Sequence, residues 1–256
     1  MTAFAAFAGK EVQELVRTGK LLILGIIFIL FGIMNPAIAK LTPWIMEMAA
    51  GSLEETGITV TEVIVNDMTS WTQFYKNIPM EIFIFVLMFA GIFTTEYQRG
   101  TLINMLTKGV RRETVLAAKI LLMLVVWTAG YWLSYGITYA YNAYFWGNGT
   151  GQNLFFTASL VYLMGIWFIS LIVLASTLFQ TNTAVLLGIG GVFVLVYLFS
   201  LIPAVREYLP LQLMQGMDMV SGATEVKDVI AAVGCTMGLA VVNVAAAVGV
   251  FNRKML

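Results

Sequence analysis

The feature that most constrains the fold is a long stretch without charge, because no Asp, Glu, Lys or Arg occurs between Lys119 and Arg206. A helix needs about 20 apolar residues to cross the hydrocarbon core of a membrane. The stretch is too long for two such helices, and polar segments at residues 142–153 and 180–183 divide it into three. It therefore predicts three membrane-spanning helices, at about residues 115–140, 154–179 and 184–202.

The rest of the chain is nearly as apolar. Hydrophobic residues make up 60% of the sequence and charged residues 11%, with a mean hydropathy of +0.88. Soluble domains are about half apolar and a quarter charged. Three further segments can span a membrane, at about residues 21–39, 78–95 and 229–250. The predicted class is all-α, with one polytopic membrane domain of six transmembrane helices over residues 1–256.

Two features modify the expected ends of these spans. Asn35 and Pro36 are expected to kink or end the first span, because proline lacks the N–H that continues a helix. In the second span, the charge-free part begins only after Glu81, so Glu81 is expected at its outer end. No ionisable residue is then expected near the centre of any span.

Residues 4–17 have the pattern of an amphipathic helix. Its apolar arc contains Phe4, Phe7, Ala8, Val12, Leu15 and Val16, and its polar arc contains Lys10, Gln13, Glu14 and Arg17. Glu11 is the exception, because it falls near the apolar edge. The pattern predicts a helix lying in the membrane interface. A frayed tail is the alternative, which the periodicity disfavours.

The basic residues are distributed unevenly over the two sides of this topology. Ten of the 14 lysines and arginines fall in the N-terminal segment, in the loop between the second and third spans, or at the C-terminus. The other four are Lys40, Lys76, Arg206 and Lys227. Basic residues are enriched in cytoplasmic segments. Both termini are therefore expected in the cytoplasm.

The most basic of these segments, residues 96–119, contains a predicted short helix at about residues 101–108. Thr101 is expected as its N-cap and Gly109 as its end. Its apolar residues are spaced by three and four, at Leu102, Met105 and Leu106. A helix of this length is not stable alone. We therefore expect the groove of a partner protein to cover its apolar face.

Glu96 lies where the second span is expected to end, with Arg99 three residues later. This spacing permits an ion pair within a helix. The hypothesis is that the pair fixes the angle between the second span and the short helix. The alternative is a solvated charge that only marks the membrane boundary.

Three tyrosines in the third predicted span, Tyr131, Tyr135 and Tyr139, are spaced by four residues. One interpretation is that they belong, with the aromatic residues that follow them in the sequence, to a belt at the membrane interface. The other is a stripe of hydroxyl groups that faces other helices.

The composition also excludes several kinds of chemistry. The sequence has no histidine and a single cysteine, Cys235, which excludes intrachain disulfides, Cys/His zinc sites and histidine acid–base catalysis. It has no phosphate-binding loop. Spans without central charges argue against an ion-coupled carrier, so the energy for any transport has to come from another protein. A membrane scaffold or immunity protein, and an integral membrane lipid enzyme, are the alternatives to a transporter.

Short motifs of the basic segment resemble the permeases of ABC type 2 exporters. They are Glu96, Arg99-Gly100-Thr101, Leu106-Thr107, Arg111-Arg112 and Ala118-Lys119. The opening Lys10-Glu11 and the ending at residues 251–254 are similar as well. The resemblance covers the whole chain, including the number and orientation of the spans.

This resemblance implies a transport subunit that has no catalytic residue, cofactor or metal of its own. A separate cytoplasmic ATP-binding-cassette subunit would bind ATP and Mg, and two permease subunits, identical or different, would pair within the lipid of the cell membrane. No nucleic acid would take part, and the substrate would be an amphipathic or hydrophobic peptide, antibiotic or lipid-like compound. The residues implied in coupling to the ATPase are Glu96, Arg99, Gly100, Thr101, Leu102, Met105, Leu106, Lys108, Arg111 and Arg112.

Overall fold

A computed structural model describes residues 3–54, 65–107 and 109–254, and within these ranges the chain forms helices and turns without strands. The helices are α1 (Ala3–Arg17), α2 (Lys20–Glu54), α3 (Asp67–Phe89), α4 (Thr94–Arg99), α5 (Thr101–Thr107), α6 (Arg112–Phe145), α7 (Leu154–Leu178), α8 (Asn182–Ser200), α9 (Pro203–Arg206), a 3-10 helix (Pro210–Met214), α10 (Gly216–Val220) and α11 (Val226–Arg253). Six segments are long and apolar enough to cross a membrane: α2, α3 with α4, α6, α7, α8 and α11. The predicted all-α class with six spans is confirmed.

Helix α2 does not end at Pro36, because it continues through Pro43 to Glu54. Pro36 lacks an N–H, so the carbonyl oxygen of Gly32 has no donor within the helix. The Thr138 hydroxyl of α6 donates to this oxygen (3.0 Å). A neighbouring helix thus supplies the hydrogen bond that proline removes, which sequence patterns along α2 alone do not show.

Helix α3 begins at Asp67, well before the start near residue 78 that the hydropathy predicted. The Asn66 side chain caps it by accepting from the Thr69 N–H (3.3 Å). Asp67 accepts from the backbone N–H of Thr150 (3.2 Å) and from its hydroxyl. Glu81, expected at the outer end of this span, therefore lies inside the helix and is buried.

Aromatic rings fill the core between α3, α6 and α7. Tyr131 is buried, and its hydroxyl donates to the carbonyl oxygen of Ala158 on α7 (2.7 Å). Trp127 stacks on Tyr131, with ring centroids 5.4 Å apart. Trp71 of α3 packs on Tyr135 at the same centroid distance. Tyr131 and Tyr135 thus face other helices, which favours the hydroxyl stripe over the interfacial belt.

Gly130 of α6 lies directly against the ring of Phe28 on α2. A Cβ atom at Gly130 would lie 2.3 Å from Phe28 Cδ2, so a larger residue would force the two helices apart. We expect Gly130→Ala to lower the free energy of unfolding by about 1–3 kcal/mol, the usual cost of overpacking. Gly136→Ala is the matched control on the same helix, because a Cβ there meets no atom within 4 Å. Equal thermal stability of the two variants would contradict this packing.

Candidate functional site

Several helix ends meet at one end of the molecule. Lys254 Nζ donates to the carbonyl oxygen of Thr177 at the end of α7 (2.8 Å). Arg112, at the start of α6, donates to the carbonyl oxygens of Phe251 (2.5 Å) and Lys254 (2.6 Å) at the end of α11. Helix α1 contacts both α6 and α2. Both ends of the described chain therefore lie on the same side of the spans as α4 and α5.

A charge cluster of Lys10, Glu11, Glu96 and Lys119 lies at this end. Lys119 Nζ of α6 is 2.8 Å from Glu11 Oε2 of α1 and 3.1 Å from Glu96 Oε2 of α4. Lys10 Nζ is 2.7 Å from Glu96 Oε1 and 3.3 Å from Glu11 Oε1. Glu11 and Glu96 are each 5% exposed and Lys119 is 1% exposed. Three helices are thus joined by alternating charges, of which Glu11, Glu96 and Lys119 are buried and Lys10 is 38% exposed.

The charges of the cluster balance one another. Two carboxylates face two ammonium groups, a condition that buried ions require. Lys119 Nζ also lies 5.7 and 5.4 Å from the ring centroids of Phe7 and Phe93, within the range of cation–π attraction. Burial lowers the pKa of Lys10, but the hydrogen bond and charge of Glu96 and the charge of Glu11 outweigh this, so the pKa is raised overall. Lys10 therefore keeps its positive charge beside the carboxylates.

Three carboxyl groups in and beside the charge cluster lie close enough together to bind a metal ion. Oxygen atoms of Glu11, Glu14 and Glu96 lie within 4.8 Å of one another, close enough to hold a cation. The Lys10 ammonium lies among them, 3.3 Å from Glu11, 3.6 Å from Glu14 and 2.7 Å from Glu96. Since a side chain of the protein already supplies the positive charge, the arrangement is an ion-pair network rather than a metal centre.

Helix α1 forms where the amphipathic pattern at residues 4–17 predicted a helix. Its face toward α6 differs from the predicted apolar arc: the buried residues are Phe7, Glu11 and Leu15, spaced by four. Val12 and Val16, assigned to the same arc, are exposed. The position of α1 in the membrane interface stays a prediction.

Sequence reasoning did not place Lys10, Glu11 or Lys119 in the candidate site. One signal was available, because Glu11 breaks the apolar arc of the amphipathic helix. A lone charge on an otherwise apolar face requires a partner when that face packs. The partner, Lys119, is far away in the sequence, and only the packing of α1 on α6 identifies it.

The expected ion pair between Glu96 and Arg99 is wrong. Glu96 turns inward to Lys10 and Lys119, whereas Arg99 is exposed. The alternative of a solvated charge at the membrane boundary is wrong too, since Glu96 is buried. Glu96 still lies at the junction of the second span and the short helix, but it contacts α1 and α6.

Helix α5 (Thr101–Thr107) lies where the short helix at residues 101–108 was predicted. Gly100 before it and Gly109 after it have φ angles of 65° and 88°. Glycine adopts this left-handed conformation without the strain that other residues incur. The two turns set α5 apart from α4 and α6. Lys108, one of the implied coupling residues, lies outside the described residues.

The side chains of α5 face in different directions. Leu102 is fully buried in the protein's own core, so the expectation that it fills a partner's groove is wrong. Met105 is partly buried and packs on the same core. Ile103, in contrast, is 44% exposed. The side chain of Leu106 lies outside the described residues, so Ile103 is the exposed apolar residue that the structure describes on α5.

Arg112, implied in partner contact, caps the C-terminus of α11. Carbonyl groups at a helix C-terminus lack donors within the helix and carry partial negative charge, which a guanidinium satisfies. Lys254 does the same for α7 through Thr177, and burial lowers the pKa of Lys254. Arg111, at the N-cap position of α6, is exposed.

A second feature is an apolar cavity of about 540 Å³ between α3 and α8. Its lining includes Ile82, Val86, Phe168, Ile189, Gly190 and Phe193. Phe83, Leu87 and Val194 also line it and are exposed, so the cavity opens on the surface of the spans. Its size falls within the range of small-molecule sites.

These features define a class of protein, a polytopic helical membrane protein whose charged end carries a short helix set apart from the spans. The model of a family described as ABC-2 family transporter protein matches residues 5–254. The chain belongs to this family, and it is a membrane permease subunit of an ABC transporter rather than the catalytic subunit. Among curated proteins, none matches the chain.

Proposed function

We propose that this chain is the permease of an ATP-driven exporter that moves an amphipathic or hydrophobic compound out of the cytoplasm. A peptide, an antibiotic and a lipid-like molecule all have this chemistry. A separate ATP-binding-cassette subunit, with ATP and Mg, docks on α5. The observation that carries the proposal is the placement of α5 outside the spans, with Leu102 anchored in the core and Ile103 exposed.

The charge cluster connects α5 to the spans. Helix α5 follows α4 at Gly100, and Glu96 on α4 contacts Lys10 on α1 and Lys119 on α6. Separating a buried ion pair leaves a charge without a partner in apolar surroundings, which is costly. A displacement of α5 by an ATPase therefore moves α4, α6 and α1 together, instead of bending the chain at one loop.

The distribution of charge supports a cytoplasmic location for the end that carries the charge cluster. The segments at this end contain ten of the 14 lysines and arginines of the chain. Cytoplasmic segments near membrane spans carry such an excess of basic residues. Both termini and α5 are accordingly assigned to the cytoplasm, and the protein to the cell membrane.

Labelling of single cysteines in intact cells tests this orientation. In a Cys235→Ser background, we expect Gly149→Cys to react with a membrane-impermeant maleimide added outside. Arg111→Cys is expected to react only after the cells are opened. Both positions are exposed, and they lie at opposite ends of α6. Labelling of Arg111→Cys in intact cells would contradict the orientation.

The apolar cavity supports the substrate class. It is lined by aromatic and aliphatic side chains and opens toward the lipid, so an apolar compound can enter it from the membrane. Helix α8, which forms one wall, is the least buried span, whereas α7 is the most buried. A second permease subunit placed against the exposed face of α8 would close the cavity.

Filling the cavity tests the substrate path. Gly190 lines the cavity, and a Cβ there lies in open space, with no atom within 4 Å. We therefore expect a large side chain at this position to occupy the cavity. We expect Gly190→Trp to remove most ATP-dependent transport of a fluorescent amphipathic dye into inside-out vesicles, while ATP hydrolysis continues. Gly136→Trp is the control, because Gly136 is equally open and lies away from the cavity. Unchanged transport by Gly190→Trp would exclude the cavity from the path.

A further inference from the structure

Glu81 is buried within the membrane-spanning part of α3, where it faces Ser134 of α6. Ser134 Oγ donates to Glu81 Oε1 (2.9 Å), and Glu81 is 1% exposed. Glu81 Oε2 is buried too, and none of the described residues bonds to it. The protein therefore holds one oxygen of this carboxyl group and leaves the other for a ligand.

The groups closest to Glu81 are neutral. Tyr131 of α6 is its titratable neighbour, and α2 contributes the amide of Asn35, which bonds to Asn77 one turn before Glu81. Helix α7, which also packs on α3, contains no charged residue. In such surroundings, the free-energy cost of burying an ionised carboxylate exceeds the stabilisation from one hydrogen bond to a hydroxyl group.

The charged residues of the helices around α3 point elsewhere. Lys40 of α2, Lys76 of α3 and Asp218 of α10 are exposed. Lys20 of α2 donates to the carbonyl oxygen of Met88, two turns beyond Glu81 on α3 (3.1 Å), and Asp67 of α3 accepts from Thr150. Lys119 of α6 belongs to the charge cluster. Within the described part of the chain, Glu81 therefore has no cation to balance it.

We propose that Glu81 is an intramembrane proton-binding site. Its carboxylate takes a proton from hydronium on Oε2, which leaves a water molecule and a neutral acid, while Ser134 keeps its hydrogen bond to Oε1. No other reactant takes part. The site is separate from the charge cluster and does not depend on the docking of an ATPase.

Several buried polar groups lie on the helix segments between Glu81 and the end of the spans opposite the charge cluster. They are Ser70 Oγ, Trp71 Nε1 and Tyr75 OH on α3, the amide of Asn142 on α6, and Thr157 Oγ1 on α7. None of these atoms has a hydrogen-bond partner among the described residues. Buried polar atoms of this kind bind internal water. We expect water bound at these groups to form a route that carries a proton to Glu81 from that end.

The route is closed on the other side of Glu81 by aromatic rings. Phe85 lies one turn further along α3, and its ring packs on Phe89 (4.6 Å between centroids) and on Trp127 (5.4 Å). All three residues are buried. Because these packed rings offer water few polar partners, Glu81 exchanges its proton with one side of the membrane only.

A second set of polar residues keeps α3 and α6 in register at the site. Asn77, four residues before Glu81, donates through Nδ2 to Asn35 Oδ1 (2.7 Å). Asn35 Nδ2 donates in turn to the hydroxyl of Thr138, four residues after Ser134 (3.2 Å). A chain of hydrogen bonds through Asn35 of α2 thus joins α3 to α6 one turn away from the Ser134–Glu81 bond. This second connection holds the carboxyl group in place.

Infrared spectra of the full-length protein in lipid nanodiscs test this proposal. We expect the parent to show the C=O stretching band of a protonated carboxyl group at neutral pH and Glu81→Gln to lose it. Glu113→Gln, which removes an exposed carboxyl group, is the control and should keep the band. In Ser134→Ala the band should move to higher frequency, because Oε1 loses its hydrogen bond. This shift separates a protonated Glu81 from a merely structural residue, even if Glu81→Gln folds poorly.

Exchange into D2O tests the route, since a lowered band frequency within minutes shows that water reaches the carboxyl group. Two results would overturn the proposal. In one, the parent lacks the protonated band, or Glu81→Gln and Ser134→Ala leave it unchanged. In the other, only ionised carboxylate bands appear and they respond to added Na⁺, which would make Glu81 a metal-cation site instead.

Discussion

Replacing Lys119 with methionine is expected to lower the free energy of unfolding by about 3–5 kcal/mol, the usual cost of removing one partner from a buried ion pair. Methionine keeps the length and apolar stem of the side chain but removes the ammonium group. Glu11 and Glu96 then lose the cation that lies 2.8 and 3.1 Å from them. Denaturant unfolding in mixed micelles, followed by tryptophan fluorescence, measures the change.

Two further variants make this experiment specific. Lys227→Met removes the cation of an equally close pair, with Glu225 at 2.7 Å, but both side chains are mostly exposed, so little change is expected. Combining Lys119→Met with Glu11→Gln and Glu96→Gln should recover most of the lost stability, because the three fully buried groups are then neutral. Lys10 keeps its charge, but its side chain is 38% exposed and still pairs with Glu14. If Lys119→Met unfolded like the parent, the cluster would not be a buried network.

Replacing Ile103 with aspartate is expected to prevent the ATPase subunit from remaining bound to the permease. Ile103 is exposed on α5, so a new carboxylate there is tolerated in the permease alone. In the complex the same carboxylate would be buried without a partner, at a cost of about 3 kcal/mol or more. Since 1.4 kcal/mol is a factor of ten, binding should weaken by at least ~100-fold. ATP hydrolysis that copurifies with the tagged permease reports the loss.

Val12→Asp is the matched control for this experiment. Val12 is 47% exposed, lies at the same end of the molecule and belongs to a different short helix, α1. The copurified ATPase activity should be retained in this variant. Equal activity with Ile103→Asp and Val12→Asp would remove α5 from the docking surface.

The sequence was sufficient for the number of spans and the position of the short helix. The uncharged stretch between Lys119 and Arg206 leaves little choice other than three spans, and glycines at both ends define α5. These are local properties, because apolar length and left-handed turns depend on neighbouring residues. The orientation, which also depends on a local count of basic residues, stays a prediction.

Contacts between distant segments could not be predicted in the same way. Helix α2 continues past Pro36 because Thr138 of another helix bonds to Gly32. Glu96 turns from Arg99 to Lys10 and Lys119 because α1 and α6 pack around it. In each case a local rule was outweighed by a partner from another helix, and a single sequence does not show which helices are neighbours.

Photocrosslinking from position 103 shows which protein lies against α5 in the membrane. A benzophenone side chain in place of Ile103, activated in native membranes, is expected to join the permease to a cytoplasmic ATP-binding-cassette protein. The same group in place of Val12 should give no such product. We expect a product that contains the ATPase at position 103 and none at position 12. If position 103 captured no ATP-binding protein while the permease remained folded in the membrane, the assignment of α5 as the docking helix of an ATP-driven exporter would be contradicted.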